Sequence, residues 1–508
     1  MAKTWNEGRA RGHIEKTIKD VETVTVVDYT RDASLENIPT NKAYRVDAAH
    51  LYADIVNLDD ILGVTDVEGE TCHKRTLRFL NLHYRAAHRA IRGADAKRVD
   101  FHNQRLHAIV TKPYGEDSEA DRVHRAVALG QLLIDVLEQT GDTDDKIPNA
   151  KVRVGIDSGK ALAVNNGRSG YREPLFLGDP ANHAAKLSAA GTATGIYLTN
   201  VARRAIGLAE VDAPASTKLT TAEITDSQDT AALEVTAASI VEDWLKDLKA
   251  NPIGAFEFTR PTPPLKTLDI TVLTPGNSRR FEGVSTYADL DNFTRFVSDN
   301  IEDNPEDVVR VLHVLRAELD RVFVTEFEGA KIRFIGDCLH GIAFDGTSKT
   351  TDDEASVSTA VLCAGGLRSS FNLALEILDD EGIDVSTLGL QIGFEFGPMT
   401  ITRLGMQGDR VRCAVSRGGR RSEVEQGRCG ERETAIGPAA SDAGTQAVRD
   451  LFGKPRKVAD LDYDTAVDAL AETGDATAKA ARALGFAVAA PAVAKAADTV
   501  VKPYVRLV

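Results

Sequence analysis

The sequence predicts an α+β fold built twice, with two tandem copies of one domain in which a sheet is covered by helices. Three observations carry this reading. First, four segments recur in the same order. "YADIVNLDD" from Tyr52 returns as "YADLDNFTR" from Tyr287, and "NQRLHAIV" from Asn103 returns as "GDCLHGIA" from Gly336. "VRVGIDSG" from Val152 returns as "LQIGFEFG" from Leu390, and "LGDPANHAAK" from Leu177 returns as "IGPAASDAGT" from Ile436. The first three pairs keep nearly one spacing, whereas the fourth is wider, which predicts an insertion of about twenty residues late in the second copy. Second, the proline-rich "TRPTPPLKT" (259–267) cannot continue a helix or a central strand and separates the copies. Third, strand-like and helix-like periods alternate within each copy.

The elements follow in order. Strand-like runs fall at 46–56, 98–110, 150–164 and 195–199, then at 283–290, 330–344, 388–404 and 410–416. Leu77, Leu80, Tyr84, Ala87 and Ile91 share one helical face, with Gly93 as a stop. Val123, Val127, Ile134 and Leu137 form a second stripe, and Leu367, Phe371, Ala374 and Leu378 a third. "IDSGKALAV" and "FEFGPMTI" read as hairpins. The domains are set at 1–262 and 263–508. The alanine-rich "AARALGFAVAAPAVAKAA", interrupted by Gly485 and Pro491, reads as a surface-packed helix pair.

Composition narrows the function. A net charge of −15 over 508 residues excludes a sequence-independent nucleic-acid binder, which needs a basic face. The five cysteines (Cys72, Cys338, Cys363, Cys413 and Cys429) form no CxxC pair and fit buried thiols in a reducing compartment. The first residues contain no apolar signal core, and no run approaches eighteen apolar residues. The expectation is a cytoplasmic protein without membrane association.

The chemistry lies in acids and in one helix start. Asp289 ends an apolar run before a polar turn, and Asp337 occupies a turn between two hydrophobic strands, with Gly336 permitting the bend. An isolated acid of this kind caps a turn. Two at matched positions of one copy can share hard divalent cations, Mg²⁺ or Mn²⁺. The first copy keeps Asp54 but carries Gln104 in place of the second acid, so it is a poor metal site. In "LGDPANHAAKLSAAG", Asp179 reads as an N-cap and Pro180 as the first helical residue, which sets Asn182 and Lys186 four apart on one face. An amide and a cation at a helix start suit a phosphate. The second copy is read as having Ser441 and Thr445 at these places. The losses are complementary: one complete site would form where the copies face each other, and its symmetry mate would be dead. The basic stretch "SRGGRRSEVEQGRCGER" (416–432) reads as a surface loop or as a cover for a triphosphate, and His107 and His340 read as core or interface residues without a role.

These segments resemble the class III nucleotide cyclase domain. "YADLDNFT" resembles its first metal-aspartate motif, "FIGDCLHGIAF" its second, "VRVGIDSGKALAV" its central hairpin and "FLGDPANHAAKL" its asparagine–arginine helix. The resemblance spans roughly 44–205 and 280–450. It implies two ferredoxin-like βαββαβ domains forming an intramolecular pseudo-heterodimer. It also implies two-metal cyclisation of a nucleoside triphosphate to its 3′,5′-cyclic monophosphate and pyrophosphate. Asp289 and Asp337 would bind both ions, Asn182 would orient the ribose, and Lys186, where the family has arginine, would stabilise the transition state. At the base-reading positions stand Asp100 and Leu175. Asp100 can accept from uracil N3–H, from cytosine N4 or from guanine, and offers nothing to adenine N1. The "NQRLH" run resembles the pyrimidine cyclases of Pycsar anti-phage systems, whose diffusible product acts on a separate effector protein. UTP is the first choice, with CTP, then GTP, and a non-catalytic nucleotide sensor as alternatives.

Overall fold

The computed structural model describes residues 3–36, 38–165 and 174–489. It contains two mixed sheets of matching connectivity. In the first, the strands run Lys97–His102, Arg105–Val110, Lys42–Ile55 and Val152–Asn165, and the last of these carries both Pro174–Leu177 and Gly195–Leu198. In the second, the order is Ala330–Ile335, Cys338–Ala343, Ser278–Asp291 and Gly389–Leu404, and the last carries Val411–Val415 and Glu433–Ile436. In each, one of the two added strands is antiparallel and the other parallel. Alternating apolar residues put one face of each sheet under helices. Those helices include Glu70–Gly93 and Glu119–Leu137 in the first half and Pro305–Asp320 and Asp353–Asp380 in the second. All the predicted strand runs and helical stripes fall in these elements.

Three expectations are corrected. "IDSGKALAV" and "FEFGPMTI" are not hairpins, because continuous strands run through both. Gly159, at φ 147°, bends its strand without ending it. The predicted insertion is also absent. Leu162 pairs with Leu177 and Thr400 with Val415, while Val154 pairs with Ile196 and Ile392 with Thr434, so one offset holds through all these strands. The helices agree. A Cβ on Gly155 would lie 2.2 Å from the Ala184 carbonyl oxygen, and one on Gly393 would lie 2.1 Å from the Gln426 nitrogen. Each glycine lets one helix lie directly on the sheet, and the counterpart of Asp179–Ala189 is therefore Arg417–Gln426. "IGPAASDAGT" instead forms helix Pro438–Ala443, the counterpart of Asn200–Ala205. Its likeness to "LGDPANHAAK" reflects a shared way of starting a helix, glycine followed by proline in the first turn. Finally, helix Ala476–Ala489 runs through Gly485, and the second helix of the predicted tail pair, with Pro491, lies outside the described residues.

The halves exchange segments. Helix Glu7–Asp20 packs on the C-terminal half, where Ala10 and Ile14 are fully buried among Val308, Leu312 and Leu315. Lys3 pairs with Asp345 at 2.6 Å, Trp5 donates to Ser370 at 2.7 Å, and His13 contacts Glu318 at 2.7 Å. The added strands cross reciprocally: Leu175 and Leu177 join the C-terminal core, and the equivalent Cys413 and Val415 join the N-terminal core. Helix Asp353–Asp380 is apolar and long enough to cross a membrane, but 78% of its most apolar window is buried inside the protein. All five cysteines are free and buried.

Because Ile14 is fully buried in the opposite half's core, Ile14→Ala should cost about 2–5 kcal/mol in chemical denaturation. A loss below about 1 kcal/mol would mean that the N-terminal helix is a loose appendage.

Candidate active site

The site lies between the halves, in a cavity of 190 Å³ lined by Tyr52, Asp100, Leu175 and Asn182 from one half and by Thr294 and Asp337 from the other. Hydrophobic packing fixes the strands, and their ends deliver the polar groups.

The acids come from two adjacent strands of the second sheet. Leu339 pairs with Ala288, so Asp289 and Asp337 leave neighbouring strand ends side by side. Gly336, at φ 62°, makes the turn that projects Asp337. Burial holds both carboxyls above the usual range, and the charge of Asp337 adds to the push on Asp289. Gln426 donates to Asp289 at 3.3 Å and to Gln391 at 2.7 Å, which steadies that carboxylate without neutralising it. The Arg316 charge favours ionised Asp337, and its guanidinium lies 3.9 Å above the Phe334 ring. Two adjacent half-buried carboxylates fit a divalent cation, which offsets the cost of desolvating their charge. Among the described residues no cluster of three or more metal-type side chains exists.

The amide comes from helix Asp179–Ala189. Gly178, at φ 127°, takes the cap position, and Asp179 moves into the first turn. There its carboxylate accepts from Ser298 at 2.7 Å in the opposite half instead of capping its own helix. Asn182 lines the cavity and donates to Thr294 at 2.8 Å. Lys186 lies one turn further on, outside the residues that line the cavity.

The far end is aromatic. Tyr52 stacks on His107 with ring centroids 4.0 Å apart, and Phe176 stands edge-on to His107 at 6.3 Å. Tyr287 and His340 repeat the stack at 4.3 Å in the second half. His107 thus lines the cavity, beyond the core role expected of it. Asp100 follows a bulge at Val99, which re-aims its side chain, and it pairs with Arg333 of the opposite half. Arg333 also donates to the Phe101 carbonyl at 2.8 Å. Sequence reasoning missed Tyr52, Thr294 and Arg333. Tyr52 and Thr294 were within the quoted motifs, whereas Arg333 needed the pairing of the halves.

A second cleft of 660 Å³ takes the symmetry-related place and includes Asp54, Gln104, Arg105, Arg417 and Arg420. The basic stretch is helix Arg417–Gln426, which lines this cleft and not the first. With the corrected register, Arg420 and Val424, not Ser441 and Thr445, replace Asn182 and Lys186. Burial raises Asp54 to about 6. Arg105 stands 3.5 Å from Asp54 and 3.3 Å from Glu423. Here Gln104 stands where the first cleft has its second acid, and Arg105 supplies a cation beside Asp54.

The matching sheets, the paired acids and the asparagine helix define a class III nucleotide cyclase. Comparison with known proteins agrees. The chain is 58% identical over its full length to a uridylate cyclase of Pseudomonas aeruginosa, covering 99% of that protein. It is 39% identical to a uridylate cyclase of a Rhizobium species, over 82% of each chain. A solved class III adenylyl cyclase-like ATP-binding protein from Pseudomonas aeruginosa superposes with a TM-score of 0.91 at 59% identity, over 92% of this chain and all of the other. No family model matches the chain. The chain belongs to the family of these uridylate cyclases.

A carboxyl with a raised folded pKa binds its proton more tightly in the native state, so its contribution to stability falls as pH rises toward that value. Asp54→Asn should therefore stabilise the protein at pH 8, where Asp54 is charged and buried. The gain should shrink as pH falls below 6 toward 4.5 in denaturant titrations. An equal gain at both pH values would contradict the assignment of burial as the cause.

Proposed function

We propose that the chain converts UTP to 3′,5′-cyclic UMP and pyrophosphate in the 190 Å³ cleft, with residues 1–262 and 263–508 acting as a pseudo-heterodimer. The observation that carries this is the meeting of Asp100 and Asn182 from one half with Asp337 from the other in a single cavity. Asp289 and Asp337 would hold two divalent ions, Mg²⁺ or Mn²⁺, which supply the charge that acidifies the ribose 3′-hydroxyl and neutralises the triphosphate. Asn182 orients the ribose so that the 3′-oxygen lies in line with the α-phosphorus. The 3′-hydroxyl gives its proton to solvent, the new bond joins that oxygen to phosphorus, the bond from the α-phosphorus to the α–β bridging oxygen breaks, and pyrophosphate leaves with that oxygen. Lys186 offers a point charge to the phosphoryl oxygens, without the fork of an arginine.

The uracil edge presents acceptor, donor, acceptor. Asp100 accepts from N3–H, and Arg333 beside it suits a uracil carbonyl. Leu175, Phe176 and the Tyr52–His107 stack leave a narrow apolar slot that favours one ring over two. Two curated relatives are uridylate cyclases. The solved relative described as ATP-binding makes ATP the comparison substrate. Buried free thiols fit a cytoplasmic setting. There the diffusible cyclic nucleotide would act on a separate effector in anti-phage defence.

With Mn²⁺ and UTP, CTP, GTP or ATP supplied singly, UTP should give the highest rate of pyrophosphate release. Asp337→Ala should lower that rate at least a hundredfold, and Asp54→Ala by less than tenfold. Equal losses in the two variants would refute the single-site reading, and faster turnover of ATP would refute the base assignment.

A further inference from the structure

The catalytic cavity, at 190 Å³, is smaller than the roughly 300 Å³ at which small-molecule pockets begin. Seating a nucleoside triphosphate there therefore displaces side chains that now bridge the cavity. Among the described residues, helix Asp179–Ala189 and helix Phe293–Asn300 are joined across this cavity by two hydrogen bonds, beside the Asp100–Arg333 ion pair. Asn182 donates to Thr294 at 2.8 Å, and Ser298 donates to Asp179 at 2.7 Å. Thr294 and Ser298 are four apart on one helical face.

The same contact is built again at the second cleft from different chemistry. The symmetry mates of Asn182 and Thr294 are Arg420 and Asp59, which form a two-point ion pair that includes a 2.6 Å bond. The mate of Asp179 is Arg417, whose guanidinium donates to the Leu62 carbonyl at 2.7 Å, to that of Asp66 at 3.0 Å and to that of Thr65. The Arg417 backbone N–H donates to Glu68 at 2.7 Å. Charge-assisted, multidentate bonds are roughly twice as strong as neutral ones. Several of them join the helices at the second cleft, whereas at the first the Ser298–Asp179 bond is charge-assisted and the Asn182–Thr294 bond is neutral.

We propose that Thr294 is a positioning residue that holds the Asn182 amide while the cleft is empty and yields it to the ribose on binding. The charged contacts of Arg417 and Arg420 at the second cleft are kept throughout. This rests on the assignment of Asn182 to the sugar made above. Steady-state UTP kinetics with Mn²⁺ test it on the full chain in T294V, T294S and N182A. T294V keeps the volume and removes the acceptor. Its KM should fall about two- to tenfold, the factor carried by one net neutral hydrogen bond, and by more than any change in kcat. T294S should restore the wild-type KM. An unchanged or raised KM in T294V, or the same shift in T294S, would overturn the proposal. N182A separates the two readings: a large loss of kcat with an unmoved T294V sinks the latch alone, whereas an unimpaired N182A sinks the sugar assignment and the latch with it.

Discussion

The ion pair between Asp100 and Arg333 fixes how the two halves meet. These residues hold equivalent positions in the repeat: Asp100 pairs with His107 in one sheet and Arg333 with His340 in the other. Equivalent residues that touch each other lie on the pseudo-two-fold axis. Two identical N-terminal halves would bring aspartate against aspartate there, and two C-terminal halves arginine against arginine. Both arrangements leave like charges buried together, at a cost of several kcal/mol. Opposite charges at this one place favour the mixed pairing. The crossed strands and the exchanged N-terminal helix add apolar area to the same choice.

Once the pairing is fixed, the site need be built only once. Two carboxylates side by side are expensive to desolvate, and Asp289 and Asp337 carry that cost in one cleft, where the Arg316 charge favours only Asp337. In the other, Gln104 removes one acid, while Arg105 offsets Asp54 and Glu423. The second cleft carries charged contacts between the halves. Arg417 and Arg420 stand where the active cleft has Asp179 and Asn182. The Asn182–Thr294 contact is thus a neutral bond that a substrate can replace, whereas its counterpart at the opposite cleft is the Arg420–Asp59 ion pair.

Much of this was legible in the sequence, and the failures have physical causes. The repeat, the strand runs and the two acids could be read because strands alternate with period two and a turn acid between apolar runs is conspicuous. Asn182 was found from its place at a helix start. The partner helix was misassigned because "IGPAASDAGT" shares start chemistry with "LGDPANHAAK", while its true counterpart, "SRGGRRSEVE", shares only its seat against a glycine. That seat is a tertiary contact of Gly393 with Gln426, invisible to local pattern. The Asp100–Arg333 pair was hidden for the same reason, since the residues are far apart in sequence and meet only at the axis.

The central claim is one nucleotide site per chain, built by both halves. Calorimetric titration of the full chain with a non-cyclisable UTP analogue and Mn²⁺ tests it most directly. The account predicts a stoichiometry of one, lost when Asp289 and Asp337 are both changed to asparagine. Two bound nucleotides per chain, or one that survives that double substitution, would contradict it.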